Sequence, residues 1–425
     1  MKLKIRKGSR KLMKDLNISI VIDAVRQHGP ICRADLARVT NLGRSTITGI
    51  ASMLLEEGFL VELGSGESKV GRRPILLKFN EKARPVIAIK LAPGRIVGAV
   101  TDMNAHVLCQ QERMLADHET ADEIVEALIQ MTHALLAQAA VDIDDVLGIG
   151  IVLPGIVDPE TGVSVWPSFF NWINVPMKQI LEDSLGVQVF IDNDANAAAL
   201  AEKWYGAGRD YADLVCVTVG AGVGAGLIVG GRLYRGGASG AGEIGHMTID
   251  EEGPQCICGN RGCLEAMVSD KALVRQAVER LAESGGSAPG SMVLQLAGGD
   301  ESKITREIIV EAAKAGDEMA QVLVRQAGTH IGTGLANLVN ILNPEAIIVG
   351  GEAAAQAGDL LLEPIRRTVK ERAFAVLSEK TEILPAKLPD GWLVGAAILV
   401  LQEFFGLPIY RQEEGRKSIN LASLV

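Results

Sequence analysis

Residues 86–113 read VIAIKLAPGRIVGAVTDMNAHVLCQQER. The stretch holds three β-rich runs, Val86–Leu91, Ile96–Thr101 and Val107–Arg113, broken at Pro93-Gly94 and Asp102-Met103-Asn104. A helical pattern over Ala121–Ala139 follows, then an apolar strand, Val146–Leu153, that stops at Pro154-Gly155. A second unit of the same kind begins downstream. The strand Val187–Ile191 runs into Asp192-Asn193-Asp194-Ala195-Asn196 and a helix through Trp204, and strands return at Leu214–Val219 and Gly226–Val229. Strands, helix, strand, then the pattern again is how the two-lobed α/β fold of actin-like ATPases and sugar kinases (RNase H-like) is built. Two such lobes enclose a cleft, with ligands supplied by loops at strand ends.

The first eighty residues follow another pattern. Ile18, Val21, Ile22 and Val25 are spaced for a helix that His28-Gly29-Pro30 stops. A short helix is predicted over Arg33–Val39, a turn at Thr40–Gly43, where Asn41 tolerates the left-handed conformation, and a third helix over Arg44–Glu57. Strands Phe59–Leu63 and Ile75–Phe79 flank a polar basic loop, Gly64–Arg73. Three helices and a two-stranded wing make a winged helix-turn-helix, whose recognition helix offers its N-terminal side chains to the major groove. Arg33, Arg44, Ser45, Thr46 and Thr48 are the candidate DNA contacts there, and Arg72 and Arg73 those of the wing, where a narrow A·T-rich minor groove attracts guanidinium groups.

Charge separates the two parts. The 425-residue chain has a formal net charge of −10, which by itself argues against nucleic acid. Residues 1–80 carry 15 Lys and Arg against 7 Asp and Glu, and residues 81–425 carry 27 against 45. A basic arm of +8 therefore precedes an acidic body of −18. The composition, 48% hydrophobic and 22% charged, excludes a disordered chain. The N-terminus lacks the apolar core of a secretory signal, so a cytoplasmic protein is expected. Leu214–Gly231 is long and uncharged, but its six glycines read as two buried strands around a turn instead of a membrane span.

The strongest chemical pattern is His246 followed by Cys256, Cys258 and Cys263. Four borderline or soft ligands within 18 residues suit tetrahedral Zn²⁺, and with no open position in view the zinc is read as structural. Asp192–Asn196 reads either as a helix N-cap with an acidic first turn or as a polar site.

These segments resemble the ROK family (repressor, open reading frame, kinase), in its xylose-repressor/NagC-like branch. The likeness runs through 29–37, 44–48, 54–58 and Gly71-Arg72-Arg73-Pro74, then Leu153-Pro154-Gly155, Asp192–Asn196, Gly242-Glu243-Ile244-Gly245-His246, Cys256–Glu265, Leu342-Asn343-Pro344-Glu345 and Val349-Gly350-Gly351. The resemblance implies a sugar site of Asn193, Asp194, Glu243, His246 and Glu265, with one ring nitrogen of His246 on zinc and the other toward a sugar hydroxyl. Carboxylates and an amide are natural partners of hydroxyls, which both donate and accept. The implied organisation is a winged helix over 1–80, a small lobe over 81–190, a large lobe with the zinc loop over 191–390, and over 391–425 a C-terminal helix packing back on the body plus a loose tail.

Kinases of the family use the residue matching Asp194 as catalytic base. ATP also needs an Asp-x-Gly-Gly-Thr turn after the first strand, and here Ile89-Lys90-Leu91-Ala92-Pro93-Gly94 stands there, without the acid or the paired glycines. The second turn, Gly220-Ala221-Gly222-Val223-Gly224, keeps its glycines but has Ala221 where kinases carry a hydroxyl. Phosphoryl transfer without those groups loses electrostatic stabilisation worth several kcal/mol each. The expectation is a sugar-responsive repressor of carbohydrate-utilisation genes that binds operator DNA and a sugar, holds no ATP and works as a homodimer or dimer of dimers. The alternatives are a sugar kinase, for which Asp194 would be catalytic, and a repressor acting through a protein partner. Trp166–Trp172, an aromatic loop, either stacks on the sugar or caps the cleft, and Ala327–Leu338 packs either internally or at a dimer interface. Beyond these, helices are predicted over Lys271–Glu283, Thr305–Leu338, Leu360–Ala373 and Trp392–Phe405, with a strand over Ala346–Val349.

Overall fold

A computed structural model describes residues 10–65, 74–116, 119–283, 291–389 and 391–405. Its N-terminal part consists of α1 (Arg10–His28), β1 (Ile31–Cys32), α2 (Arg33–Thr40), α3 (Arg44–Glu56), β2 (Leu60–Ser65) and β3 (Ile75–Phe79). The wing is three-stranded in the order β1-β3-β2, because Ile31 and Cys32 pair with Leu77 and Leu76. Two residues give no period to read, so the sequence showed only two strands. Asn41 has φ 54°, the left-handed turn its side chain tolerates. Ile18, Val21, Ile22, Leu36, Ile47, Leu54 and Leu77 close the small core.

The body has two lobes. In the first, β4 (Val86–Ala92), β5 (Arg95–Thr101), β6 (Val107–Met114), α4 (Ala121–Ala139) and β7 (Gly148–Leu153) are followed by the ribbon β8 (Ile156–Asp158) and β9 (Val163–Trp166), α5 (Met177–Leu185) and β10 (Val189–Asn193). The sheet order is β10-β7-β4-β5-β6, with β7 parallel to both β4 and β10. Parallel central strands are buried on both faces, which is why β4 and β7 read as nearly continuous apolar runs.

Helix α6 (Asp194–Tyr205) leads to the second sheet: β11 (Leu214–Val219), β12 (Val223–Val229) and β13 (Arg232–Tyr234). Leu214–Gly231 is thus an antiparallel hairpin, as its glycines predict. After α7 (Leu264–Val268), α8 (Asp270–Glu283), α9 (Met292–Leu296), α10 (Arg306–Lys314) and α11 (Glu318–Leu342) come β14 (Ala346–Gly350), α12 (Glu352–Ala357), α13 (Asp359–Arg372), α14 (Ala375–Ser378), β15 (Glu382–Pro385) and α15 (Gly391–Phe405). The second sheet runs β13-β12-β11-β14-β15. No helix among the described residues is long and apolar enough to cross a membrane.

One predicted helix is corrected. Thr305–Leu338 is two helices, broken where Gly316 takes φ +100° and the Asp317 side chain accepts from Ala320 N to cap α11. Ala327–Leu338 packs internally, since a Cβ on Gly328 or Gly332 would meet Leu361 O at 2.8 Å or Thr368 Cβ at 2.6 Å in α13. Helix α15 returns to the first lobe, where a Cβ on Gly150 would stand 1.8 Å from Ala396 O.

Candidate sugar cavity and cysteine–histidine cluster

Strand β10 ends in the cleft and turns directly into α6. Asn193 is the cap: its Oδ1 accepts from Ala195 N at 2.8 Å and Asn196 N at 3.1 Å, and its Nδ2 donates to Gly155 O at 2.9 Å. The N-cap reading of Asp192–Asn196 is met by Asn193, and Asn193, Asp194 and Asn196 also line the cavity. Buried Asp192 supports them from behind, accepting from Asn196 Nδ2 at 3.1 Å and pairing with Arg235.

From the other lobe, Gly242–His246 lies against β12. A Cβ on Gly242 would sit 1.8 Å from Ala225 O, and one on Gly245 2.2 Å from Val223 O, so only glycine permits this approach. That contact brings Glu243 and His246 to the cavity, while Glu265 Oε2 accepts from Val223 N at 3.0 Å. All five predicted sugar-site residues, Asn193, Asp194, Glu243, His246 and Glu265, line one cavity. Burial raises the pKa of Asp194, opposed by Lys90, and raises that of Glu243, opposed by His246.

Other lining residues were missed in the sequence. Lys90 Nζ lies 3.3 Å from the centroid of the Trp392 ring, and burial lowers its pKa against the pull of Asp194. A lone charge in the apolar run Val86–Leu91 was the available signal; nothing local linked it to Trp392. The first predicted phosphate turn is a tight hairpin turn at Pro93-Gly94, closed by the pair Ala92 and Arg95. Arg95 reaches across to Glu352 of α12 at 2.7 Å. The second turn, Gly220–Gly222, lines the same cavity. Of the aromatic loop, Ser168 and Phe169 reach the cavity, whereas Phe170 stacks on Trp172 at 4.7 Å and packs into the first-lobe core.

Below the cavity, ligand atoms of His246, Cys256, Cys258 and Cys263 lie within 4.8 Å of one another. His246 Nδ1 stands 3.6 Å from Cys256 Sγ, and Cys258 Sγ 3.6 Å from Cys263 Sγ. A tetrahedron with metal–sulfur bonds of about 2.3 Å has sulfur–sulfur edges of about 3.8 Å, so the donor set fits a metal ion. His246 Nε2 faces the other way, 3.9 Å from Glu243 Oε2.

In the winged helix, Arg44, Ser45 and Thr48 are exposed on the first turns of α3 and Thr46 is half-buried. Arg33 pairs with Glu62 at 3.2 Å. Arg72 and Arg73 lie outside the described residues.

Fold and cavity define the class: a sugar-kinase-like α/β protein joined to a winged helix. The model of the ROK family matches residues 86–403, and the chain belongs to that family. It is 33% identical to the xylose repressor of Caldicellulosiruptor bescii over 404 residues, covering 95% of this chain and 100% of that one. Among solved structures it is similar to a ROK family transcriptional regulator homologous to the E. coli Mlc protein, with TM-score 0.81, 29% identity, and coverage of 94% of this chain and 98% of that one. It is also similar to a ROK family glucokinase from Streptomyces griseus in complex with glucose and AMPPNP, with TM-score 0.67 and 32% identity, over 74% of this chain and 98% of that one.

Proposed function

We propose that the chain is a sugar-responsive DNA-binding transcriptional repressor of carbohydrate-utilisation genes, acting in the cytoplasm as a homodimer on a two-half-site operator. One observation carries the reading: a winged helix with an exposed Arg44-Ser45 start to α3 shares a chain with a cavity that gathers Asn193, Asp194, Glu243, His246 and Glu265. The similarity to a xylose repressor along the whole chain supports it. The sugar's hydroxyls donate to Asp194, Glu243 and Glu265 and accept from Asn193 and from His246 Nε2. Buried acceptors of this kind reject analogues that lack a hydroxyl, because a carboxylate is left unpaired.

His246, Cys256, Cys258 and Cys263 hold a structural zinc in this reading. The ion would fix the Nδ1 side of His246, turn Nε2 toward the sugar, and pin a loop that has few apolar contacts of its own. Phosphoryl transfer is disfavoured by the Pro93-Gly94 hairpin turn and by the Arg95–Glu352 pair across the nucleotide side of the cleft. Mobility shift of DNA from upstream of the chain's own gene, with and without xylose, glucose or N-acetylglucosamine, tests the proposal. A sugar-dependent shift supports it; ATP-dependent phosphorylation of a sugar, abolished by Asp194→Asn, would replace it with the kinase.

A further inference from the structure

Two helices begin at the cavity and end on the winged helix. Helix α6 starts at Asp194, in the cavity wall, and its last turn carries Trp204. Helix α15 starts beside Trp392, also in the cavity wall, and ends at Phe405. At 1.5 Å per residue these are rods of about 18 Å and 22 Å. They pack backbone to backbone: a Cβ on Gly395 would lie 2.1 Å from Ala197 O, so neither helix slides independently of the other.

The ends of both rods meet Arg26 of the winged helix, and Phe405 of α15 also meets Phe79 of β3 at 5.7 Å. The Arg26 guanidinium of α1 is 5.2 Å from the Trp204 ring centroid and 4.6 Å from that of Phe405. Beside it, Phe404 meets Phe59 at 4.9 Å. Among the described residues Arg26 Nη1 is buried without a hydrogen-bond partner, and Nη2 lies 3.9 Å from the carboxylate of Asp23. The guanidinium thus lies within cation–π range of two aromatic rings, one at the end of each rod.

We propose that α6 and α15 form a two-helix strut that couples occupancy of the cavity to the winged helix, with Arg26 as the joint. The inference rests on the sugar-sensor reading above and adds the route by which the sensor reports. A ligand that shifts Asp194 or Trp392 moves both rods together, and the winged helix follows through the guanidinium held between their ends. A cation between two aromatic faces permits a change of angle without breaking directional hydrogen bonds.

The test uses the full chain, with sugar affinity by calorimetry and operator affinity by fluorescence anisotropy, each with and without the other ligand. In the wild type a saturating sugar changes operator affinity by about fivefold or more, and operator changes sugar affinity by the same factor, as linkage requires. Arg26→Met and, separately, Phe405→Leu reduce both factors to within about twofold, while sugar affinity in the absence of DNA is unchanged. Phe405→Leu keeps the joint apolar, so one folded variant is available even if the other melts early. Full coupling in either folded variant overturns the strut, and so does a wild type that binds both ligands independently. A wild type that gives no heat with xylose, glucose or N-acetylglucosamine rejects the sugar reading itself, before DNA is added, and removes the strut's basis with it.

Discussion

Arg95 Nη2 stands 2.7 Å from Glu352 Oε1, joining β5 of the first lobe to α12 of the second across 257 residues of sequence. The same guanidinium also holds Glu112 at 3.0 Å. The side chains of Arg95 and Glu352 are 36% and 42% exposed, so solvent screens the pair and its net worth is about 1 kcal/mol or less. A double-mutant cycle with Arg95→Met and Glu352→Gln, followed by urea unfolding, should return a coupling in that range. A coupling several times larger would make the bridge a principal hold between the lobes.

Acidification should weaken the sugar. Burial raises the pKa of Asp194 and Glu243, so both take up protons at higher pH than ordinary carboxyls, and each protonation removes a charge-assisted acceptor. Sugar affinity measured by calorimetry falls as the pH is lowered from neutrality, and falls less steeply in Asp194→Asn. Stability moves the other way for these two groups. A folded carboxyl whose pKa lies above its unfolded value contributes stability as pH falls through the folded value, and that contribution is lost as pH rises past it. A pH-independent sugar affinity would show that neither carboxylate accepts from the ligand.

Removing one thiol should cost both metal and stability. Cys258→Ser is expected to abolish stoichiometric zinc, measured by mass spectrometry of the native protein, and to lower Tm by roughly 5–10 °C, as loss of a few kcal/mol does in a domain of this size. Zinc retained at one per chain in the variant would move the site elsewhere.

DNA affinity should depend on the first turn of α3. Arg44→Ala is expected to weaken operator binding by about 10- to 100-fold. If Arg44 contacts a phosphate, the slope of log affinity against log salt drops by about one; if it reads a base edge, the slope holds and sequence preference relaxes. Unchanged anisotropy titrations would remove α3 from the interface.

Gly150→Ala should be among the most damaging single changes. The added methyl would meet the Ala396 carbonyl oxygen at 1.8 Å, and both partners are backbone inside packed elements. Losses above about 4 kcal/mol come from overpacking of this kind, and chemical denaturation would show it. Ordinary stability in the variant would mean that α15 does not seat on β7 this closely.

Much of the fold was legible from local pattern. Helix Ala121–Ala139 and strand Leu214–Val219 match the structure residue for residue, because each is long or apolar enough for its period to stand out. Ile31–Cys32 was not legible, since a two-residue strand exists only through its partner β3. The break at Gly316 was passed over because both flanking segments are helical by propensity. In the cavity, Asp194, Glu243 and Glu265 were singled out only through the resemblance to the ROK family, and His246 also through its spacing to the three thiols. Lys90, Arg95, Glu352 and Trp392 were not, because their significance lies in contacts between segments hundreds of residues apart.

The sequence alone determined the division into a basic winged helix and an acidic α/β body, since hydrophobic period, glycine placement and charge act over a few residues at a time. It also determined that three thiols and an imidazole fall within one short loop. Only the tertiary structure decided that Asn193 serves both as helix cap and as cavity wall, that Arg95 bridges the lobes, and that α6 and α15 run from the cavity to Arg26. Those relations come from close packing of elements distant in the chain, where one carbonyl against one missing Cβ sets the spacing, and no local pattern encodes it.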